Sequence, residues 1–169
     1  MYVGLISDTH GVFSREFEEF LAPVDVIWHA GDFGGSVEFA QQIRSFKPLV
    51  GVWGNCDGQD YRHEFPEYQF LKVEGLKILM IHIGGSPGHY YPRAKQLLDE
   101  LRPDIFICGH SHILKVMNDP SRSLLYLNPG AAGLQGWQVS RTALRFRLDQ
   151  GTIKDLELFD LKRSNNPTK

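Results

Sequence analysis

The chain has 169 residues, 42% of them hydrophobic and 22% charged, and 18 Lys plus Arg stand against 20 Asp plus Glu for a net charge of -2. These values suit one domain with a real core and exclude a disordered tail, a collagen-like rod and a disulfide miniprotein. The charge balance lacks the electropositive footprint of a protein built for duplex nucleic acid or an anionic membrane.

Short apolar runs recur along the chain, and each is cut off by polar residues or glycine. Val3-Gly4-Leu5-Ile6 ends at Ser7-Asp8, and Val26-Ile27-Trp28 leads into Gly31-Asp32. Leu49 to Trp53 ends at Gly54-Asn55, Ile78 to Ile81 at His82, and Ile105 to Cys108 at Gly109-His110. Runs of this length without alternation predict strands buried on both faces. Helices are expected between them. One runs from Ser14 to Leu21 and one from Ser36 to Phe46, each opening on serine, and a third runs from Pro92 to Leu101 with proline in its first turn. Alternating strands and helices indicate an α/β layered fold.

The last third reads differently. Ile113 to Met117, Ser123 to Leu127, Val139 to Leu148 and Thr152 to Leu158 are expected as successive antiparallel strands forming a second sheet packed on the first. Thr142, Leu144, Phe146 and Leu148 alternate with Arg141, Ala143, Arg145 and Arg147, so one face is expected in the core and the other is read as a solvated basic face, with a polyanion patch as the alternative. Gln150-Gly151 supplies a hairpin turn. Residues 1–160 are read as one domain and residues 161–169 as a polar, frayed tail.

Two cysteines, Cys56 and Cys108, are too sparse for a disulfide framework and read as free thiols in a reducing compartment. Met1 to Ile6 has no basic stretch and is too short for a signal peptide, and no apolar run approaches the ~18 residues of a membrane helix. A cytoplasmic protein without a membrane partner is expected.

In open α/β sheets ligands bind outside the carboxyl ends of the strands. All five apolar runs end in, or just before, residues that can bind a metal: Asp8 with His10, then Asp32, Asn55, His82, and His110 with His112. These residues are expected along one edge of one sheet. Carboxylates, imidazoles and an amide suit borderline divalent ions better than Ca or Mg. So many donors exceed one tetrahedral site and fit two ions about 3.5–4 Å apart that share a carboxylate.

Asp8-x-His10, Gly31-Asp32, Gly54-Asn55, the strand-end His82 and Gly109-His110-Ser111-His112 resemble, in order, the motifs of the calcineurin-like metallophosphoesterases. The small size and Gly54-Asn55-Cys56-Asp57 look most like the compact bacterial and archaeal phosphodiesterase subfamily. The resemblance implies a four-layer α/β/β/α sandwich of two mixed sheets. It places Asp8, His10 and His112 on one divalent ion and Asn55, His82 and His110 on a second, with Asp32 bridging. Manganese is the leading candidate for both, with iron, nickel, cobalt or zinc as alternatives. The implied activity is hydrolysis of a small phosphodiester by direct attack of a metal-bridging hydroxide, with Asp32, Asn55, Cys56, Asp57 and His82 in the catalytic machinery.

Two positions depart from the family pattern. Cys56 stands where many members carry a histidine near the leaving group; it is read either as a weak proton donor or as a small filler. His82-Ile83-Gly84-Gly85 replaces a His-Gly sequence, and its glycines suggest a mobile loop over the site. Asp57 is expected to orient its loop, and Asn128-Pro129-Gly130 to form a structural turn. His89 is read as a phosphate contact or a surface residue, His63 as a lip residue or nothing, and His29 as a core residue rather than a ligand. Trp137 is read as core or interface rather than as a substrate platform, and Cys108 as a core hydrophobe. Aromatics such as Trp53, Phe65 and Trp137 leave a homo-oligomer open. The competing function is a protein-interaction scaffold resembling the retromer scaffold subunit, which keeps much of the metal motif. A metallo-β-lactamase-type zinc hydrolase is excluded because its His-x-His-x-Asp-His signature is missing.

Overall fold

The computed structural model describes residues 1–163. The elements in chain order are β1 (Tyr2–Ile6), α1 (Arg15–Leu21), β2 (Val26–His29), α2 (Glu38–Phe46), β3 (Leu49–Gly51), α3 (Gln59–Glu64), β4 (Tyr68–Val73), β5 (Leu76–Ile81), β6 (Gly85–Ser86), β7 (His89–Tyr90), α4 (Pro92–Leu101), β8 (Ile105–Ile107), β9 (Leu114–Asp119), β10 (Leu124–Pro129), β11 (Ser140–Asp149) and β12 (Thr152–Lys162). No helix among the described residues is long and apolar enough to cross a membrane.

Two five-stranded mixed sheets carry the fold, with strand orders β12-β11-β1-β2-β3 and β4-β5-β8-β10-β9. Successive side chains of a strand point to opposite faces, so each apolar run feeds two cores. Val3, Leu5, Trp28, Leu144, Phe146 and Leu148 of the first sheet meet Ile78, Met80, Ile105, Ile107 and Leu127 of the second. On the outer face of the first sheet, Tyr2, Ile6, Ile27 and Ala143 pack against Phe17, Leu21, Ala40, Ile43 and Tyr61 of α1, α2 and α3. Leu79, Ile81, Phe106 and Tyr126 of the second sheet pack against Ala94, Leu97 and Leu98 of α4. The result is the expected four-layer α/β/β/α sandwich, and burial on both faces is why the central strands read as unbroken apolar runs.

The last third corrects the sequence reading. Its four strands do not form one sheet. β9 and β10 pair antiparallel and join the second sheet, where β10 also lies parallel to β8. β11 and β12 pair antiparallel and join the first sheet through β1. The second sheet is completed by β4, which pairs with β5 across a two-residue turn at Glu74 (φ 50°) and Gly75 (φ 82°). Gln150 (φ 44°) and Gly151 (φ 79°) form the same kind of turn between β11 and β12.

The arginine face of β11 is solvated only toward Arg147, which is exposed, and is covered toward Arg141. Arg141 is buried against the Phe17 ring (4.7 Å), and donates from Nε to the Ala132 carbonyl (2.7 Å) and from Nη1 to Ser14 Oγ (3.2 Å). Arg145 lies over Phe20 (4.4 Å) and Arg147 over Tyr2 (4.0 Å). Guanidinium stems and planes thus cover aromatic surface beneath and beside α1. β12 continues through Lys162, and the Arg163 guanidinium donates to the carbonyls of Leu134, Gly136 and Gln138, so residues 161–163 belong to the fold. The rest of the expected tail, 164–169, lies outside the described residues.

Candidate metal centre

The candidate ligands occupy five loops, but these loops come from both sheets. Asp8 and His10 follow β1, Asp32 follows β2 and Asn55 follows β3, whereas His82 follows β5 and His110 and His112 follow β8. The site is therefore a seam where the strand ends of two facing sheets converge, not one edge of one sheet. Backbone hydrogen bonds lace the loops together: Asp8 N–H donates to Gly31 O (2.9 Å), His10 N–H to Asp32 O (3.2 Å) and Gly109 N–H to His82 O (3.0 Å).

Backbone strain is concentrated here. Asp8, His10, Asp32, His110 and His112 have positive φ, between 47° and 67°, and make up five of the ten such non-glycine residues among those described. Each left-handed residue costs about 1–3 kcal/mol, and clustering of this kind marks functional sites. Glycines open the remaining space. A Cβ at Gly54 would overlap the Asp32 carboxylate, and one at Gly31 would overlap the His82 ring.

The donor atoms form overlapping triads. Those of Asp8, His10 and His112 lie within 4.8 Å of one another, as do those of Asp8, Asp32 and His82 and those of His10, Asp32 and Cys56. His112 Nε2 is 3.2 Å from Asp8 Oδ1 and 3.3 Å from His10 Nε2. His82 Nε2 is 3.3 Å from Asp32 Oδ2, 3.1 Å from Asn55 Oδ1 and 4.0 Å from Asp8 Oδ1. The exposed His110 sits edge-on to His82 with ring centroids 5.4 Å apart, beside the triads rather than in one.

The tautomers follow from the outer contacts. His82 Nδ1–H donates to the Ala30 carbonyl (2.7 Å), and His112 Nδ1–H to Gln138 Oε1 (3.2 Å). Both Nε2 lone pairs then face carboxylate and amide oxygens, acceptor against acceptor. Asp8 Oδ2 accepts from the His110 amide (3.1 Å), but Asp8 Oδ1 is buried without a hydrogen-bond partner. A buried carboxylate oxygen left alone is costly, and a cation among these acceptors removes the cost. The mixed nitrogen and oxygen donors therefore fit divalent ions of the borderline class.

The electrostatics agree. Burial pushes the Asp32 carboxyl up, but the His82 contact and the Cys56 amide (2.8 Å) outweigh it and hold the acid below the usual carboxylate range. Burial pushes His82 down, yet contact with Asp32 and the charges of Asp8 and Asp32 leave it raised. Contact with Asp8 raises His112. A divalent ion binds neutral imidazole, so metal and proton would compete for the Nε2 atoms.

Other predicted residues are placed as follows. Asp57 is buried, accepts from the amides of Gly54 (2.8 Å) and Gly34 (3.1 Å), and ties the loop after β3 to the loop after β2; burial raises its carboxyl. Cys56 is exposed at the mouth, its thiol pushed up to about 11 by burial and by Asp32. His29 is fully buried, stacked on Phe33, with Nε2 on Thr9 Oγ1 (2.8 Å) and Nδ1 accepting from Gly31 N–H (3.1 Å). His63 is exposed on α3. His89 is exposed on β7 and lines a groove of about 370 Å³ with His110 and Lys115. Trp137 is neither core nor packed at an internal contact: it is fully exposed, beside a groove that also touches His110 and His112. The glycine-rich segment after His82 is a short hairpin, β6 with β7, pinned by Tyr126 Oη–H donating to Gly85 O (2.7 Å). Cys108 is buried at 3.0 Å from Tyr126 Oη.

Two contributors are invisible in the motifs. Gln138 orients His112. Asn128 Nδ2 donates to Gly109 O (2.9 Å) and Ser111 Oγ (3.1 Å), and its Oδ1 accepts from Gly130 N–H (3.0 Å), so the Asn128-Pro129-Gly130 turn also braces the loop of His110 and His112.

Comparison with known proteins agrees with this construction. Residues 1–151 match the calcineurin-like phosphoesterase superfamily domain. A probable metallophosphoesterase of Methanothermobacter thermautotrophicus is 31% identical over 144 residues, covering 78% of this chain and 77% of that one. The chain belongs to the calcineurin-like phosphoesterase superfamily. Among solved structures, an archaeal phosphodiesterase superposes with a TM-score of 0.72 at 21% identity, over 95% of this chain and 100% of its own. A Vps29 variant from Entamoeba histolytica gives 0.73 at 20% identity, over 96% and 100%. At these identities the two structures support the shared fold.

Proposed function

We propose that the protein is a two-metal phosphodiesterase acting on small phosphodiesters. The observation that carries this reading is the buried, unpartnered Asp8 Oδ1 at the centre of converging acceptors from five loops. Asp8, His10 and His112 would hold one ion and Asn55, His82 and His110 the other, with Asp32 reaching both. Bound divalent ions would supply Lewis acidity for activating water and offsetting charge on the phosphoryl oxygens, with manganese as our candidate and iron, nickel, cobalt or zinc as alternatives.

The chain's own residues supply order. Ala30 O and Gln138 hold two imidazoles in the tautomer that offers Nε2. Asp57 fixes the loop of Asn55, and Asn128 fixes the loop of His110. Direct attack by water needs no serine or cysteine nucleophile. Cys56 holds its proton at Sγ beside the cluster, where a leaving group would depart. A thiol is a weak hydrogen-bond donor, so diesters with good leaving groups should turn over fastest.

The test is elemental analysis of purified protein joined to a metal-dependent screen of phosphomonoesters and phosphodiesters. Metal-dependent hydrolysis of bis-aryl phosphates supports the reading. A second reading, a metal-binding interaction scaffold, draws on the exposed Trp137, Val139 and Ile113, two of which line a groove beside His112. Protein that carries metal but leaves every ester intact would favour the scaffold.

A further inference from the structure

Beside the Asn55 and His82 end of the cluster lies a cavity of about 350 Å³ with predominantly apolar walls. Trp53, Ile81, Ile83, Tyr91 and Pro92 form those walls. The polar lining comes from Asn55, His82 and the Arg93 and Glu67 side chains, the last two paired at 2.9 Å. The walls belong to fixed elements. Trp53 follows β3 and donates its amide to Pro66 O (3.1 Å), Ile81 ends β5, and Tyr91 and Pro92 begin α4. One face of the Trp53 ring is covered by the Arg62 guanidinium at 4.4 Å, which holds the indole at a set angle. Tyr91 is half exposed.

An open concavity with aromatic walls and water in it is unfavourable unless something apolar fills it. Its volume lies in the range of small-ligand pockets, as does its pattern of apolar walls with a few placed polar groups. The neighbouring grooves differ. The one at His89 and Lys115 carries basic groups, and the one at Trp137 is bounded by a single free-standing ring.

We propose that this cavity binds one aromatic arm of the phosphodiester, with the ring between Trp53 and Tyr91 and its far edge at Arg93 and Glu67. The proposal deepens the phosphodiesterase reading and rests on it for the position of the phosphoryl group. Aryl groups and nucleobases share the required flat face. A nucleobase would also use the acceptor of Glu67 and the donor of Arg93.

The experiment measures calorimetric affinities of manganese-loaded protein for methylphosphonate, phenylphosphonate and a uridine methylenephosphonate, so that binding is read without turnover. Phenyl or uridine should bind about tenfold tighter than methyl. The tighter of the two tells an aryl group from a nucleobase. Tyr91→Ala and Trp53→Leu should each cut that preference several-fold, whereas Trp137→Ala should keep it. Equal affinities for all three ligands would overturn the proposal. So would a preference that survives both cavity substitutions or that falls only in Trp137→Ala. Hydrolysis of bis-aryl phosphate is scored separately. Its absence would count against the enzyme reading, while the affinities still decide the cavity.

Discussion

Asp8 commits one oxygen to the His110 amide and leaves the other buried without a hydrogen bond, 3.2 Å from His112 Nε2, and Asp32 is held by His82 and the Cys56 amide. Asp32 shares one donor triad with Asp8 and His82 and another with His10 and Cys56, and in the proposed reading it would bridge the two ions. Asp32→Ala should therefore lose bound metal and lower diester hydrolysis by about 100-fold or more, read by elemental analysis and rate. Full activity in that variant would refute the bridging role. Cys56 sits at the mouth with a protonated thiol. Cys56→His would install an acid with a reference pKa of about 6.5. Rates across diesters of graded leaving-group pKa should then flatten, with alkyl leaving groups gaining most. At this scale the sequence was informative, because each donor stands directly after an apolar run and the strand end alone fixes its place. Gln138 and Asn128 were not legible as supports, since each acts across a distance that only the fold closes: Gln138 reaches His112, and Asn128 reaches Gly109.

The strands show where local pattern stops. Continuous apolar runs identified β1, β2, β3, β5 and β8, because burial on both faces removes the need for alternation. Sheet membership was not legible. β10 and β11 carry similar patterns but join opposite sheets, a choice set by pairing with β8 and β1. Arg141 and Arg145 misled for a related reason. A charged strand face looks solvated until α1 is laid over it and its phenylalanines meet the guanidinium planes. Phe146 of β11 is fully buried between the sheets, edge-on to Trp28 at 6.1 Å. Phe146→Ala should cost about 3–5 kcal/mol in denaturant unfolding. Specific activity of the folded, metal-loaded fraction should stay near the wild-type value, since the lesion lies in the core and not among the donors.

The whole molecule joins two sheets whose strand ends meet at charged loops, and that junction is where repulsion and strain gather. Asp8, Asp32 and three strained histidines stand close together there. Ions that bind only the folded chain should relieve this and stabilise it. At a free manganese concentration about 100 times Kd the gain is about 2.7 kcal/mol, and the Tm should rise by about 5 °C or more over chelated protein. An unchanged Tm on adding metal would show that the cluster is satisfied without it. The most direct test is anomalous diffraction from manganese-loaded crystals. Two peaks about 3.5–4 Å apart are expected, one among Asp8, His10 and His112 and the other among Asn55, His82 and His110, with Asp32 touching both. A single peak, or manganese bound away from these residues, would contradict the account.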